Sequence, residues 1–150
     1  MDMRERLNRR LKEAMRDRDQ RQVGTLRLIN AALKDQDIAL RGEGRTVGDA
    51  EALAILAKMV KQRQESARAY EEAGRLELAE QERAEIGIIE GFLPRKLSEA
   101  EVEAAVDQAI AESGATSVRD MGKVMGALKA RHAGQIDFGA VGPMAKARLS

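Results

Sequence analysis

A chain of 150 residues with a net charge of +1 is long enough for one ordinary domain or two small ones around a workable core. With no Cys and a single His it offers neither a disulfide framework nor a thiolate or histidine-cluster metal site, so no zinc is expected. Tyr70, Phe92 and Phe138 are its only aromatic residues, which leaves phosphates and shape, not base stacking, as the routes to any nucleic-acid contact.

The amino-terminal run Met1-Asp-Met-Arg-Glu-Arg-Leu-Asn-Arg-Arg is charged from the start and has no apolar signal-peptide core. No later run is apolar enough to span a bilayer, so the reading is a cytoplasmic protein without a membrane partner. Charge is unevenly distributed. Bases outnumber acids from Met1 to Lys34, the charges from Ser98 to Ser113 are all acidic, and those from Val118 to Ser150 are mostly basic. The basic ends are candidates for an anionic partner; the plainer alternative is that they are ordinary solvated helix faces.

Met3, Leu7, Leu11, Ala14 and Met15 recur at helical spacing and predict a first helix ending near Arg18. Val23, Leu26, Ile29, Leu33 and Leu40 continue the period in a second helix, which the glycine-bearing stretch Arg41 to Gly48 interrupts. Asp49 is placed to cap a third helix built on Ala52, Leu56, Met59, Val60, Arg63, Ala67 and Tyr70, and Gly74 to end it in a left-handed conformation. A fourth helix carries Leu76, Ala79, Ile86, Ile89 and Leu93 on one stripe amid Glu77, Glu80, Glu82, Glu85 and Glu90.

Pro94 has no backbone donor and disfavours a helical Leu93, so the fourth helix must stop by that point. Ser98 and Glu101 then form a capping box, flanked by Leu97 and Val102 as a hydrophobic staple, and open a fifth helix with Val102, Ala105, Val106, Ala109 and Ile110 on its stripe. Gly114 ends it. Ser117, with Asp120 three residues on, predicts the start of a sixth helix whose stripe is Val118, Met121, Met125 and Leu128. Gly134 ends that helix. Asp137 can cap a last helix on Val141, Ala145 and Leu149, which Pro143 fits only if the helix starts late, near Gly139 or Ala140. No strand pattern is visible. The expectation is an all-α protein, with an antiparallel helical bundle over residues 1–94 followed by a compact three-helix domain over 95–150.

Gly122 and Gly126 lie one turn apart inside the sixth helix, where each costs about 1 kcal/mol relative to Ala. Either a neighbouring helix approaches closely there, the commoner cause, or a ligand backbone such as a phosphate chain does. Residue chemistry offers no catalytic site. Glu82 with Glu85 and Glu71 with Glu72 read as surface charges and ion pairs, and His132 as a last-turn capping residue. Ser66 and Ser117 have no activating partner, and neither glycine cluster has the Lys-Ser/Thr pair of a phosphate-binding loop. No cofactor motif is present.

Several stretches in order resemble one family: Thr25-Leu-Arg-Leu-Ile-Asn-Ala-Ala-Leu-Lys34, Lys61-Gln-Arg-Gln-Glu-Ser66, Ala73-Gly-Arg75, Glu82-Arg-Ala-Glu-Ile86, Phe92-Leu-Pro94, Leu97-Ser-Glu99, Asp120-Met-Gly-Lys-Val-Met-Gly126 and Gly134-Gln-Ile-Asp137. Together they resemble the GatB/YqeY family over essentially the whole chain. Stand-alone members are similar to the carboxy-terminal helical tail of the B subunit of the aspartyl/glutamyl-tRNA amidotransferase, which contacts tRNA while the chemistry lies elsewhere. The resemblance implies an all-helical protein in two parts and a link to tRNA or to a tRNA-modifying or aminoacylation-related protein. It also implies the family's label of carbon–nitrogen ligase with glutamine as amido-nitrogen donor. On this reading Arg119, Lys123, Lys129 and Arg131 contact phosphates, and Gly122 and Gly126 admit the RNA backbone. The alternatives are a protein-interaction module that uses the amino-terminal bundle and the acidic fifth helix without nucleic acid and, more weakly, an amidotransferase in its own right.

Overall fold

The helical periodicity of the sequence becomes seven α-helices and two short 3₁₀ turns in the computed structural model, which describes residues 2–150; there is no strand among them. Met1, the first residue of the charged amino-terminal stretch, lies outside the described residues. The chain divides into two compact units, Met1–Leu93 and Pro94–Ser150.

In the first unit, α1 (Met3–Arg16) begins with the Asp2 carboxylate accepting from Glu5 N at 2.8 Å. It ends two residues before Arg18. That residue takes a left-handed φ of 56°, while Arg18 N donates to Met15 O and Asp19 N to Ala14 O, the pair of bonds by which a left-handed residue closes a helix. Asp19 immediately caps α2 (Gln20–Leu40) by accepting from Gln22 N at 3.1 Å. A 3₁₀ turn over Arg41–Glu43 and the left-handed Gly44 lead into α3 (Asp49–Glu72). Asp49 is not the cap expected of it. Gly48 occupies that position, and the Asp49 carboxylate instead accepts from Met3 N at 3.2 Å, satisfying one of the unbonded donors in the first turn of α1.

Gly74 ends α3 with φ 73°, as expected, and α4 (Leu76–Glu90) follows at once. α1 packs on α2, α2 on α3 and α4, and α3 and α4 form the most extensive pairing. Leu7, Leu26, Ile29, Leu33, Leu56 and Ile89 are fully buried at the centre of this unit's core. Two positions of the expected stripes are not. Leu76 opens α4 and is 66% exposed, and Met15 near the end of α1 is 51% exposed. Leu93 lies beyond the helix, which stops at Glu90, several residues short of Pro94.

The second unit starts with the expected capping box. Ser98 Oγ accepts from Glu101 N at 3.2 Å and Glu101 Oε1 from Ser98 N at 3.0 Å, opening α5 (Glu99–Ser113), which the left-handed Gly114 ends. α6 (Met121–His132) packs on α5 and α7 (Phe138–Leu149) on α6 around Val106, Ala109, Val124, Leu128, Ile136, Val141 and Ala145. Val124, absent from the expected stripe, is fully buried, whereas Val118 is 40% exposed. Asp137 caps α7 by accepting from Gly139 N at 3.1 Å. The helix starts at Phe138 and carries Pro143 in its second turn, earlier than the proline suggested. Pro143 and Gly139 are both exposed, so the carbonyl that loses its donor faces water. No buried side-chain polar atom lacks a partner among the described residues.

Candidate nucleic-acid interface on the sixth helix

The entry to α6 is built by a carboxylate. Ser117 is extended and makes no side-chain cap; a 3₁₀ turn over Val118–Asp120 intervenes, and the Asp120 carboxylate turns back to accept from Thr116 N at 3.0 Å. This corrects the expected Ser117 cap: Asp120 is the side chain that organises the turn. The bond from Thr116 holds the Asp120 carboxyl below its ordinary range, with smaller help from the Ser117 backbone and the Lys123 charge.

Val124 and Leu128 direct the buried face of α6 inward, and Met121 and Met125 pack partly against the same core. Gly122, Lys123, Gly126 and Lys129 are left on the exposed side, with Arg119 exposed in the turn before them. A side chain added at Gly122 or Gly126 would meet nothing within 4 Å. The expectation that these glycines admit a neighbouring helix is therefore overturned: both face open space. At about 100° per residue, Lys123 and Lys129 stand about 60° to either side of Gly126, and Gly122 lies one turn below it. The outer surface of α6 is thus a strip of bare backbone bordered by cations.

Arg131 does not join this strip. It lies about 140° round the helix from Gly126 and forms an ion pair with Glu112 of α5. Arg131 is the main cause, and Gln108 a lesser one, of the Glu112 carboxyl lying below its ordinary range. Of six residues grouped by sequence, four share the open face of α6, Arg119 is exposed in the turn before it, and Arg131 is paired within the unit. His132 is the last residue of α6, with Nδ1 3.3 Å from Gln135 Oε1.

One carboxylate of each pair weighed as acid and base is held in an ion pair. Glu85 accepts from Arg63 Nε at 2.9 Å, and Glu71 is bonded by Arg83. Burial, reinforced by the neighbouring Glu85 charge, pushes the Glu82 carboxyl up. Among the described residues no three potential metal ligands converge, and no helix is long and apolar enough to cross a membrane. Arg6, Arg9 and Arg10 belong to the basic amino-terminal end that is a candidate for an anionic partner, and they line a cleft in the first unit, a grouping that the charge count does not show. Their spacing of three and four residues on α1 was the available signal.

Two of the ordered motifs of the second unit are joined by one backbone and one side-chain bond. Leu97 N donates to Gln135 O at 3.0 Å, Gln135 Nε2 donates to Arg95 O at 3.0 Å, and Ile136 is buried beside them. The Leu-Ser-Glu and Gly-Gln-Ile-Asp stretches therefore close one structural seam. No curated protein matches the chain. The family model described as Yqey-like protein matches residues 4–149, covering both units and all seven helices apart from the first residue of α1, and the chain belongs to that family.

Proposed function

We propose that the chain is a tRNA-binding accessory module, linked to glutamine-dependent tRNA amidation and not catalytic by itself, that meets the RNA backbone through the exposed face of α6. The observation that carries this reading is the open surface over Gly122 and Gly126 between Lys123 and Lys129. Two glycines of α6, one in its first turn and one a turn further in, serve no internal packing and lower helix stability without a structural return, and a phosphate chain lying against the bare backbone supplies one. Arg119, Lys123 and Lys129 add point charges at its border, which fix position and carry no sequence information. The resemblance to the amidotransferase B-subunit tail supports tRNA as the polyanion. The test is binding of the purified protein to bulk tRNA across a salt series, beside a Lys123→Glu/Lys129→Glu double variant. Binding that weakens with salt and is lost in the variant is expected. No binding to the native protein at low salt, where phosphate contacts are strongest, overturns the reading.

A further inference from the structure

The first unit contains a cleft of about 770 Å³ between α1 and α4, with Gln22 of α2 among its lining residues. Its two walls differ in chemistry. Along α1, Arg6, Arg9 and Arg10 recur at three- and four-residue spacing and make one wall basic. Along α4, Ala84, Gly87, Ile88 and Gly91 follow the same spacing and, with Phe92, make the other apolar. The basic wall therefore runs over about one helical turn, or about 6 Å, and the apolar wall over about two turns, or about 10 Å.

The basic wall is only partly neutralised. Arg10 is held by Gln22 Oε1 at 3.2 Å and by Glu13 at 3.7 Å. Arg6 lies over the Phe92 ring, 5.6 Å from its centroid, and forms no ion pair among the described residues. Arg9 has no side-chain ion pair or hydrogen bond among the described residues. On the apolar wall Gly87 is exposed inside a helix, and a side chain there would meet nothing within 4 Å. Nothing within the unit requires a glycine at that position, and its absent side chain keeps the wall flat and open.

We propose that the cleft between α1 and α4 is a docking groove for an acidic amphipathic helix of a partner protein. An apolar stripe on such a helix covers Gly87, Ile88 and Gly91, while carboxylates along its edge meet Arg6 and Arg9; this is the helix-in-groove mode of recognition, with charge setting the orientation. The composition of the cleft favours a protein over RNA. Only one wall is basic, and the other, formed by Ala84, Gly87, Ile88, Gly91 and Phe92, offers a phosphate chain no partner while it suits the apolar stripe of a helix. The surface belongs to the first unit and is independent of the α6 face.

The test uses the full chain and a fluorescein-labelled amphipathic peptide of about four helical turns, with Leu at positions i, i+3, i+4 and i+7 and Glu on the flanks. A second peptide replaces every Glu with Lys. Fluorescence anisotropy is measured for the native protein, for Arg9→Glu, for Gly87→Leu, which plugs the apolar wall without changing charge, and for Leu28→Ala, outside the groove on α2. Circular dichroism establishes that each variant is helical. The expected result is binding of the acidic peptide only, with a Kd raised about tenfold or more by Arg9→Glu and by Gly87→Leu and unchanged by Leu28→Ala. Equal binding of both peptides, no binding of the acidic one, or indifference to the two groove variants overturns the proposal. Loss of tRNA binding in both groove variants gives the cleft to RNA and overturns it as well, while leaving the Lys123 and Lys129 test to decide the α6 face separately.

Discussion

Asp37 of α2 is bonded by Arg4 of α1, whose Nη2 lies 2.7 Å from both carboxylate oxygens, and the same carboxylate accepts from Val47 N at 2.8 Å. One side chain thus joins two helices and the loop that leads into α3. The Val47 bond is the chief cause of the Asp37 carboxyl lying below its ordinary range, with Arg4 adding to it. Asp37→Ala removes all three bonds and leaves the N–H of the buried Val47 without an acceptor, whereas Arg4→Ala removes only the cation. Thermal melts are expected to show the larger drop for Asp37→Ala. Hydrogen exchange at Val47 should speed up in that variant and stay nearly native in Arg4→Ala.

The carboxylates also set the response to acid. Glu101 is held down to about 2 from an ordinary 4.5, first by the Arg95 guanidinium, which bonds it at 2.9 and 2.8 Å, and then by the Ser98 backbone and hydroxyl. Its folded value lies below its unfolded one, so the stability it contributes is present above about 4.5 and lost as pH falls from there toward about 2. Asp37, Glu112 and Asp120 are shifted the same way and act in the same direction. Glu82 is shifted up and acts oppositely, gaining relief as it protonates. The melting temperature should therefore fall between pH 5 and pH 2.5, and Glu101→Gln should flatten that fall while lowering stability at pH 7. A native-like slope in the variant would remove Glu101 from the account.

Which parts were legible in the sequence follows from which signals are local. Gly74 and Gly114 close helices in left-handed conformations because only glycine adopts them freely, and the Ser98–Glu101 box is written in four residues. The end of α1 is closed by the left-handed Arg18, a residue type that gives no such signal, so the apolar spacing alone predicts an end near Arg18 where the helix stops at Arg16. Asp49 was read as a cap because its type and position suited one; its actual partner, Met3 N, is distant in sequence and invisible to a local rule. At the candidate site, helical spacing placed Gly122, Lys123, Gly126 and Lys129 together. Which way that face pointed depended on Val124 and Leu128 winning the core, and Arg131 was drawn off by Glu112 on another helix.

Arg63 and Glu85 form the most enclosed ion pair among the described residues, with side chains 14% and 19% exposed. Arg63 also donates to Met59 O at 3.3 Å and faces the neighbouring Glu82 charge. Arg63→Ala leaves two acids without their cation and should cost about 2 kcal/mol in urea unfolding, because a desolvated charge loses its partner. The double variant Arg63→Met/Glu85→Leu removes both charges with side chains of similar reach and should recover most of that loss. Equal destabilisation by the single and double variants would mean packing, not charge, sets the cost.

The two α6 glycines allow stability and binding to be separated. Open space around each means that Gly122→Ala and Gly126→Ala should each stabilise the protein by about 0.5–1 kcal/mol. If a phosphate chain lies against the bare backbone, the same methyl groups stand in its path, and tRNA binding should weaken as the melting temperature rises. Destabilisation would show that a neighbouring group needs the space. Unchanged tRNA binding in both variants would remove the glycines from the interface.

The salt dependence of tRNA binding carries a number. Arg119, Lys123 and Lys129 border the open strip while Arg131 is paired with Glu112, so three cations are available there. Three phosphate contacts release counterions with a slope of log affinity against log salt of about −2.1 to −2.7, a loss of about 20- to 40-fold between 50 and 200 mM salt. Lys123→Glu/Lys129→Glu should reduce the slope to about −1 or abolish binding altogether. Arg131→Ala frees Glu112 and removes no phosphate contact, so it should leave the slope unchanged while lowering stability slightly through the lost surface pair. A slope that falls by about one in Arg131→Ala would show that the arginine leaves Glu112 for RNA, and would widen the interface toward α5.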